Sequence, residues 1–144
     1  MTLTITTAAD SPPLNVLGER LCPLTPVGQG PGIAIFESTG PEQVGPPPHR
    51  HAWEELYVVL DGTLELFDGE VWRQANAGAC ACIPPGQVHA YRNGPGCRFL
   101  IITGPGPARE FFEQIDAEVT TLPPDKAAVL SAAARHGLEV LAVG

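Results

Sequence analysis

The chain has 144 residues, enough for one domain with a real core and too few for two ordinary ones. Hydrophobic residues make up 44% and charged residues 17%, the balance of a globular chain and not of a disordered one. Eight basic residues against 16 acidic ones give a formal net charge of −8, which argues against nucleic acid or an anionic membrane as partner, because no basic patch is at hand to neutralise phosphates.

The N-terminal stretch "MTLTITTAADSPPLN" has no basic region followed by an apolar one, and no apolar run approaches the length of a membrane span. The expected location is the cytoplasm, where Cys22, Cys80, Cys82 and Cys97 are expected as free thiols. Residues 1 to 15 alternate weakly, as in "TLTIT", and suggest a loose edge strand or an arm that packs on a partner subunit. Two strand-like runs follow, "VLGERLCPLTPV" and "GIAIF", around "GQGPG". Then come short runs with clear punctuation. "ELYVVL" ends at Asp61-Gly62, "TLELF" at Asp68-Gly69 and "EVWRQ" near Gly78. "ACACI" ends at Pro84-Pro85-Gly86, "VHAYR" at Asn93-Gly94, and "CRFLIIT" closes the series. Asp-Gly and Asn-Gly between β-type runs are hairpin signals, so the pattern predicts an antiparallel meander rolled into a sandwich or barrel.

The pattern changes after Gly104-Pro105-Gly106-Pro107. "AREFFEQID" and "DKAAVLSAAARHG" have helical spacing. Asp125 can cap the second helix, and Gly137 ends it after a basic last turn. The expected organisation is one domain over 1–144, with an all-β barrel core at about 16–104 and a helical segment at about 105–137, packed outside or across one mouth.

The chemistry concentrates in "GPPPHRHAWEELYVVLDG", residues 45–62. On a strand, His49, His51, Trp53, Glu55, Tyr57 and Val59 share one face. Two imidazoles and a carboxylate facing a barrel interior are costly unless something satisfies them. A divalent metal ion answers all three at once, since imidazole and carboxylate are ligands for first-row ions; a hydrogen-bonded polar cluster is the other solution. Glu54, on the opposite face, is expected in solvent. A second stretch, "GACACIPPGQVHAYRN", brings His89 in after a Pro-Pro-Gly turn, close enough in chain length to return beside the first. Cys80 and Cys82 are expected to pack as small hydrophobes.

These two stretches resemble the paired motifs of the cupin superfamily. The first motif reads Gly, five residues, His-x-His, three or four residues, Glu, six residues, Gly. Here His49, His51, Glu55 and Gly62 fit, while the opening Gly falls on Gln43. The second reads Gly, five residues, Pro-x-Gly, two residues, His, three residues, Asn, and Gly78, Pro84, Gly86, His89 and Asn93 fit every spacing. The stretches "GPPPHRH", "NGPGCRFLIITGPGPAREFFEQI" and "ARHGLEVL" resemble small single-domain members often termed quercetin dioxygenase-like.

The resemblance implies a double-stranded β-helix, or jelly-roll, with two C-terminal helices. It implies one divalent transition metal ion (Fe, Mn, Ni or Zn) held by His49, His51, Glu55 and His89, with Glu55 as catalytic base. Trp53, Tyr57, Tyr91 and Phe99 are candidates for the substrate pocket. The implied activity is a metal-dependent, dioxygenase-like oxygenase for a small hydroxylated molecule of aromatic type. The alternatives are an O2-independent metal enzyme (isomerase, lyase or polyketide cyclase) and a non-enzymatic binder or sensor. A small-molecule substrate and assembly as a homodimer are the expected partners.

Overall fold

The structure is a computed structural model that describes residues 3–26 and 32–141. Most of the Gly-rich connector "GQGPG" lies outside the described residues, as does the start of "TLTIT". From Leu3 to Thr7 the chain forms no strand, and a short 3-10 turn follows at Ala8–Asp10. The Thr6 hydroxyl donates to the Leu24 carbonyl and ties this segment to the body.

Among the described residues, ten strands precede the helices. They are β1 (Leu14–Val16), β2 (Glu19–Pro23), β3 (Ala34–Thr39), β4 (His49–Arg50), β5 (Glu55–Asp61), β6 (Thr63–Phe67), β7 (Trp72–Asn76), β8 (Cys80–Ile83), β9 (Ala90–Asn93) and β10 (Arg98–Thr103). Helices α1 (Ala108–Glu118) and α2 (Lys126–Arg135) follow, and β11 (Glu139–Val140) returns to pair with β4. One sheet has the order β1-β2-β3-β10-β5-β8, another β7-β6-β9, and all pairs are antiparallel. This is the jelly-roll arrangement of two facing sheets.

It is not a meander. Of the expected hairpins, only the one at Asp68-Gly69 forms, with Phe67 opposite Trp72. At Asp61-Gly62 the chain instead leaves one sheet for the other. Gly62 has φ +67°, and a Cβ there would lie 2.4 Å from the Pro95 carbonyl oxygen. The turn is therefore a crowded crossover that only glycine fits. Asn93-Gly94 joins β9 to β10, which likewise belong to different sheets.

One hairpin is unannounced in the sequence. Val16 pairs with Glu19 across the two-residue loop Leu17-Gly18, whose φ values are +53° and +91°. Positive φ at both positions suits the right-handed twist of a tight hairpin. The run from residue 16 to 27, read as one strand, is thus bent at its second residue.

Burial follows period two. β5 alternates from Glu55 to Val59 with odd residues inside, and β10 buries Phe99, Ile101 and Thr103. Tyr57, Phe36, Phe99 and Leu64 are among the largest fully buried side chains. Each contributes roughly 1.5–3 kcal/mol of apolar burial. β8 departs from expectation. It is an edge strand, its inner face carries Ala81 and Ile83, and Cys80 and Cys82 point outward and are exposed. Cys22 and Cys97 are buried, and all four are free thiols.

The helices close one mouth. α1 presents Phe111 and Ile115 inward, four residues apart. The Asp125 side chain accepts from the backbone N–H groups of Ala127 and Ala128, and Gly137 follows α2 at φ +77°. No helix among the described residues is long and apolar enough to cross a membrane.

Candidate metal centre

Three histidines converge inside the jelly roll. One ligand nitrogen from each of His49, His51 and His89 lies within 4.8 Å of the other two. The backbone sets this up. His49 and His89 form an isolated antiparallel bridge and exchange both main-chain hydrogen bonds, at 3.0 and 2.9 Å. That pairing puts side chains from two distant stretches on one face, with ring centroids 4.3 Å apart. His51 comes in two residues after His49, on the same side.

The rings are oriented by carbonyls. Nδ1 of His49 donates to the Pro47 oxygen at 2.8 Å, His51 to Trp53 at 2.9 Å and His89 to Gln87 at 2.8 Å. These acceptors assign each neutral ring the Nδ1–H tautomer and leave the Nε2 lone pairs facing inward. Holding a ligand histidine by its other nitrogen is how metal sites fix ring direction. Trp53 adds a stack on His51, with centroids 4.1 Å apart and planes 7° from parallel.

Glu55 stands against the same nitrogens. Its Oε2 lies 2.9 Å from His51 Nε2 and 3.3 Å from His89 Nε2. The carboxylate is not itself within the three-histidine group. Two imidazole lone pairs and a carboxylate converging in a buried space hold together only around positive charge. A divalent first-row ion bound by these donors fits that requirement. When ring N–H groups supply the charge instead, burial would raise the Glu55 pKa, but hydrogen bonds from His51 and His89 outweigh it and bring it to about 2. Burial, helped by the proximity of His89, lowers His49 to about 4 and keeps that ring neutral, as a ligand must be.

The cavity beside this cluster runs from His49, His51 and Glu55 towards the helices, where Phe111, Phe112 and Val129 close it. Of the expected pocket residues, Trp53, Tyr57 and Tyr91 line it. Phe99 does not. It is fully buried behind the two tyrosines, in edge contact with Tyr57 at 5.7 Å and Tyr91 at 5.1 Å. Glu54 is exposed, as strand alternation requires. Asn93 does more than shape a turn. Fully buried, it donates to the Val44 carbonyl and to Glu19.

Glu19 is the residue that the sequence did not disclose. It is 3% exposed, lines the cavity, and accepts from Tyr91 Oη at 2.7 Å, Asn93 Nδ2 at 3.0 Å and Ser38 Oγ at 3.2 Å. Burial raises its pKa to about 7 against the lowering effect of those three donors. The signal that would have found it is the Leu17-Gly18 hairpin, which starts β2 at Glu19 and turns Glu19 and Leu21 inward.

Comparison with known proteins agrees with this geometry. Residues 36–103 match the family described as Cupin domain. No curated protein matches the chain significantly by sequence. Among solved structures, the chain is similar to the polyketide cyclase RemF from Streptomyces resistomycificus, at 24% identity and a TM-score of 0.61 over 72% of this chain and 80% of that one. It is similar to KdgF from Halomonas sp., at 17% identity and a TM-score of 0.62 over 72% and 94% of the two chains. An RmlC-like cupin from Shewanella frigidimarina aligns at 15% identity and a TM-score of 0.64 over 76% and 96%. At these identities the likeness is one of fold. Residues 36–103 thus match the cupin-domain family, and the chain has the cupin jelly-roll fold.

Proposed function

We propose that the protein is a metal-dependent cupin enzyme that acts on a small hydroxylated molecule bound in the cavity beside His49, His51 and Glu55. The observation that carries this reading is the set of three buried histidines whose Nδ1 atoms are all tied to carbonyls, which leaves three inward nitrogens beside a carboxylate. His49, His51, His89 and Glu55 are the residues that would hold the ion. When bound, the ion supplies Lewis acidity and lowers the pKa of a coordinated hydroxyl.

The remaining work falls to side chains of this chain. Glu55 takes the proton of the substrate hydroxyl as general base. Tyr57 lies close to Glu55 and is held un-ionised chiefly by burial, so it can donate to that carboxylate and keep it in place. Trp53, Ile101, Phe111 and Phe112 form an apolar wall that excludes water and suits an aromatic body.

The first reading of the reaction is dioxygenase-like, supported by the three-His, one-Glu set and the flanking resemblance. A second, redox-neutral reading, such as cyclisation or isomerisation, is favoured by Glu19, a further buried acid–base group in the same cavity. Similarity in fold to a structure described as a polyketide cyclase is in keeping with it. Homodimer assembly belongs to the proposal too, because β1 and β8 end the larger sheet and Leu3 and Ile5 are exposed.

The test is turnover of hydroxylated aromatic and enediol compounds by protein loaded separately with Fe, Mn, Ni and Zn. Oxygen uptake that vanishes in His51→Ala supports the first reading. Product formed without oxygen supports the second. Retention of a chelating ligand with no turnover under any metal overturns the enzymatic reading in favour of a binder.

A further inference from the structure

Glu19 has an environment that structural carboxylates avoid. It is buried and takes part in no ion pair among the described residues. An isolated buried carboxyl with no cation is costly, and its polar partners offset only part of that cost. The three partners come from two strands. Ser38 sits on β3, and Tyr91 and Asn93 lie two apart on β9, so both reach the same interior point. All three hydrogen bonds point at the carboxyl oxygens and hold them in one place at the cavity wall. The ionisable groups that feel Glu19 are Tyr91 on β9, Tyr57 on β5 and Cys97 ahead of β10, and each is pushed up, mainly by burial. None of these supplies positive charge near neutral pH, so nothing on the adjoining strands neutralises the carboxylate.

We propose that Glu19 is a second acid–base group of the cavity, one that exchanges a proton with the part of the bound molecule lying away from the histidines. The inference rests on the reading of this cavity as the site of a small hydroxylated molecule. In its carboxylate form, an Oε atom takes the proton of a substrate O–H or of a C–H beside a carbonyl. The electron pair of the broken bond stays on the substrate. In its acid form, Glu19 returns the proton to a carbon or oxygen of the product. No electron is gained or lost overall, so the step belongs to keto–enol, isomerisation or dehydration chemistry. Two carboxyls then serve two ends of one molecule. Glu55 works among the histidines, and Glu19 works beside Tyr91, Asn93 and Ser38. Two such groups in different environments are how a site separates its acid from its base.

The experiment uses zinc-loaded protein labelled with 13C at the glutamate side-chain carboxyl. The Glu19 signal is assigned as the one missing in Glu19→Gln. It titrates with a midpoint near 7 where ordinary glutamates titrate near 4.5. Tyr91→Phe, which keeps the ring and removes one donor to the carboxylate, moves the midpoint upward. Saturating 4-nitrocatechol, a chelating diol whose ionisation is visible by absorbance, moves it by about one unit or more, since coupled sites share their protons. At pH 7 fewer protons then reach the buffer on binding to wild type than to Glu19→Gln. A signal that titrates near 4.5, or one that 4-nitrocatechol leaves unmoved, overturns the role of Glu19 while zinc binding stands. Failure of the wild type to retain zinc overturns the reading of the cavity itself, and the inference falls with it.

Discussion

His49 and His89 lie forty residues apart in sequence, yet each donates its backbone N–H to the other's carbonyl. This bridge is what turns two motifs into one site. Because the pairing fixes both Cα positions, the rings meet without help from the ion. Replacing His49, His51 or His89 with Ala therefore leaves the strands paired and removes a ligand. Each variant is expected to fold with near wild-type far-UV circular dichroism and to lose at least 100-fold in affinity for zinc, as measured by chelator competition.

Trp53 acts on the site at one remove. Its ring stacks on His51, and its carbonyl accepts from the same imidazole. Trp53→Ala keeps the carbonyl and removes the stack. Loss of such a supporting contact costs roughly 10-fold or more in metal affinity. Trp53→Phe is expected to restore most of it in the same competition assay.

The stability of the protein carries a contribution from Glu19 that falls as pH rises. Its folded pKa lies above its unfolded value, about 7 against 4.5. The stabilisation by this group is fully present below pH 4.5 and is lost as pH rises through 7. Glu19→Gln removes that dependence. At about 1.4 kcal/mol per unit, the variant should gain about 3 kcal/mol on the wild type between pH 4.5 and pH 8. Parallel denaturant titrations of chelator-treated protein measure the difference, in which contributions common to both proteins, such as that of His49, cancel.

Gln43 explains the one departure from the first motif. It occupies the position where the family pattern has Gly, and its φ is +66°. A non-glycine residue there costs about 1 kcal/mol or more. Gln43→Gly is expected to stabilise the protein by about 0.5–1 kcal/mol, net of the entropy that glycine adds to the unfolded chain. Gly45 is constrained differently. A Cβ there would lie 1.9 Å from the Tyr91 carbonyl oxygen. Gly45→Ala should destabilise by about 3 kcal/mol, the scale of a severe overpacking defect. Thermal and urea melts of the two variants check both signs.

The four thiols divide by exposure. Cys80 and Cys82 are exposed, and Cys22 and Cys97 are buried. A thiol reagent should titrate two groups in the native protein and four after denaturation. Four at once in native buffer would mean that β2 and the β9–β10 connection open readily.

Much of this site was legible because its information is local. His49, His51 and Glu55 share parity on one stretch, and His89 follows a Pro-Pro-Gly turn whose spacing is itself a motif. What was not legible depends on pairing across the fold. Asp61-Gly62 looks like a hairpin turn, and only the crowding of Gly62 against Pro95 and Gly96 shows it to be a crossover. Cys80 and Cys82 look buried by residue type, but the edge position of β8 turns them outward. Phe99 has the right parity for the pocket, yet Tyr57 and Tyr91 stand in front of it. Glu19 was hidden by a hairpin whose loop, Leu17-Gly18, carries none of the usual Asn or Asp. β11 escaped notice because two residues beside His49 are too few for a periodic signal.

The central claim is that the three histidines and Glu55 hold a metal ion. Elemental mass spectrometry of untagged protein, with His51→Ala as control, tests it most directly. The account predicts close to one Fe, Mn, Ni or Zn per chain in the wild type and loss of that metal in the variant. No metal in the wild type, even after reconstitution with each ion, would contradict it and leave the cluster as a hydrogen-bonded part of the core.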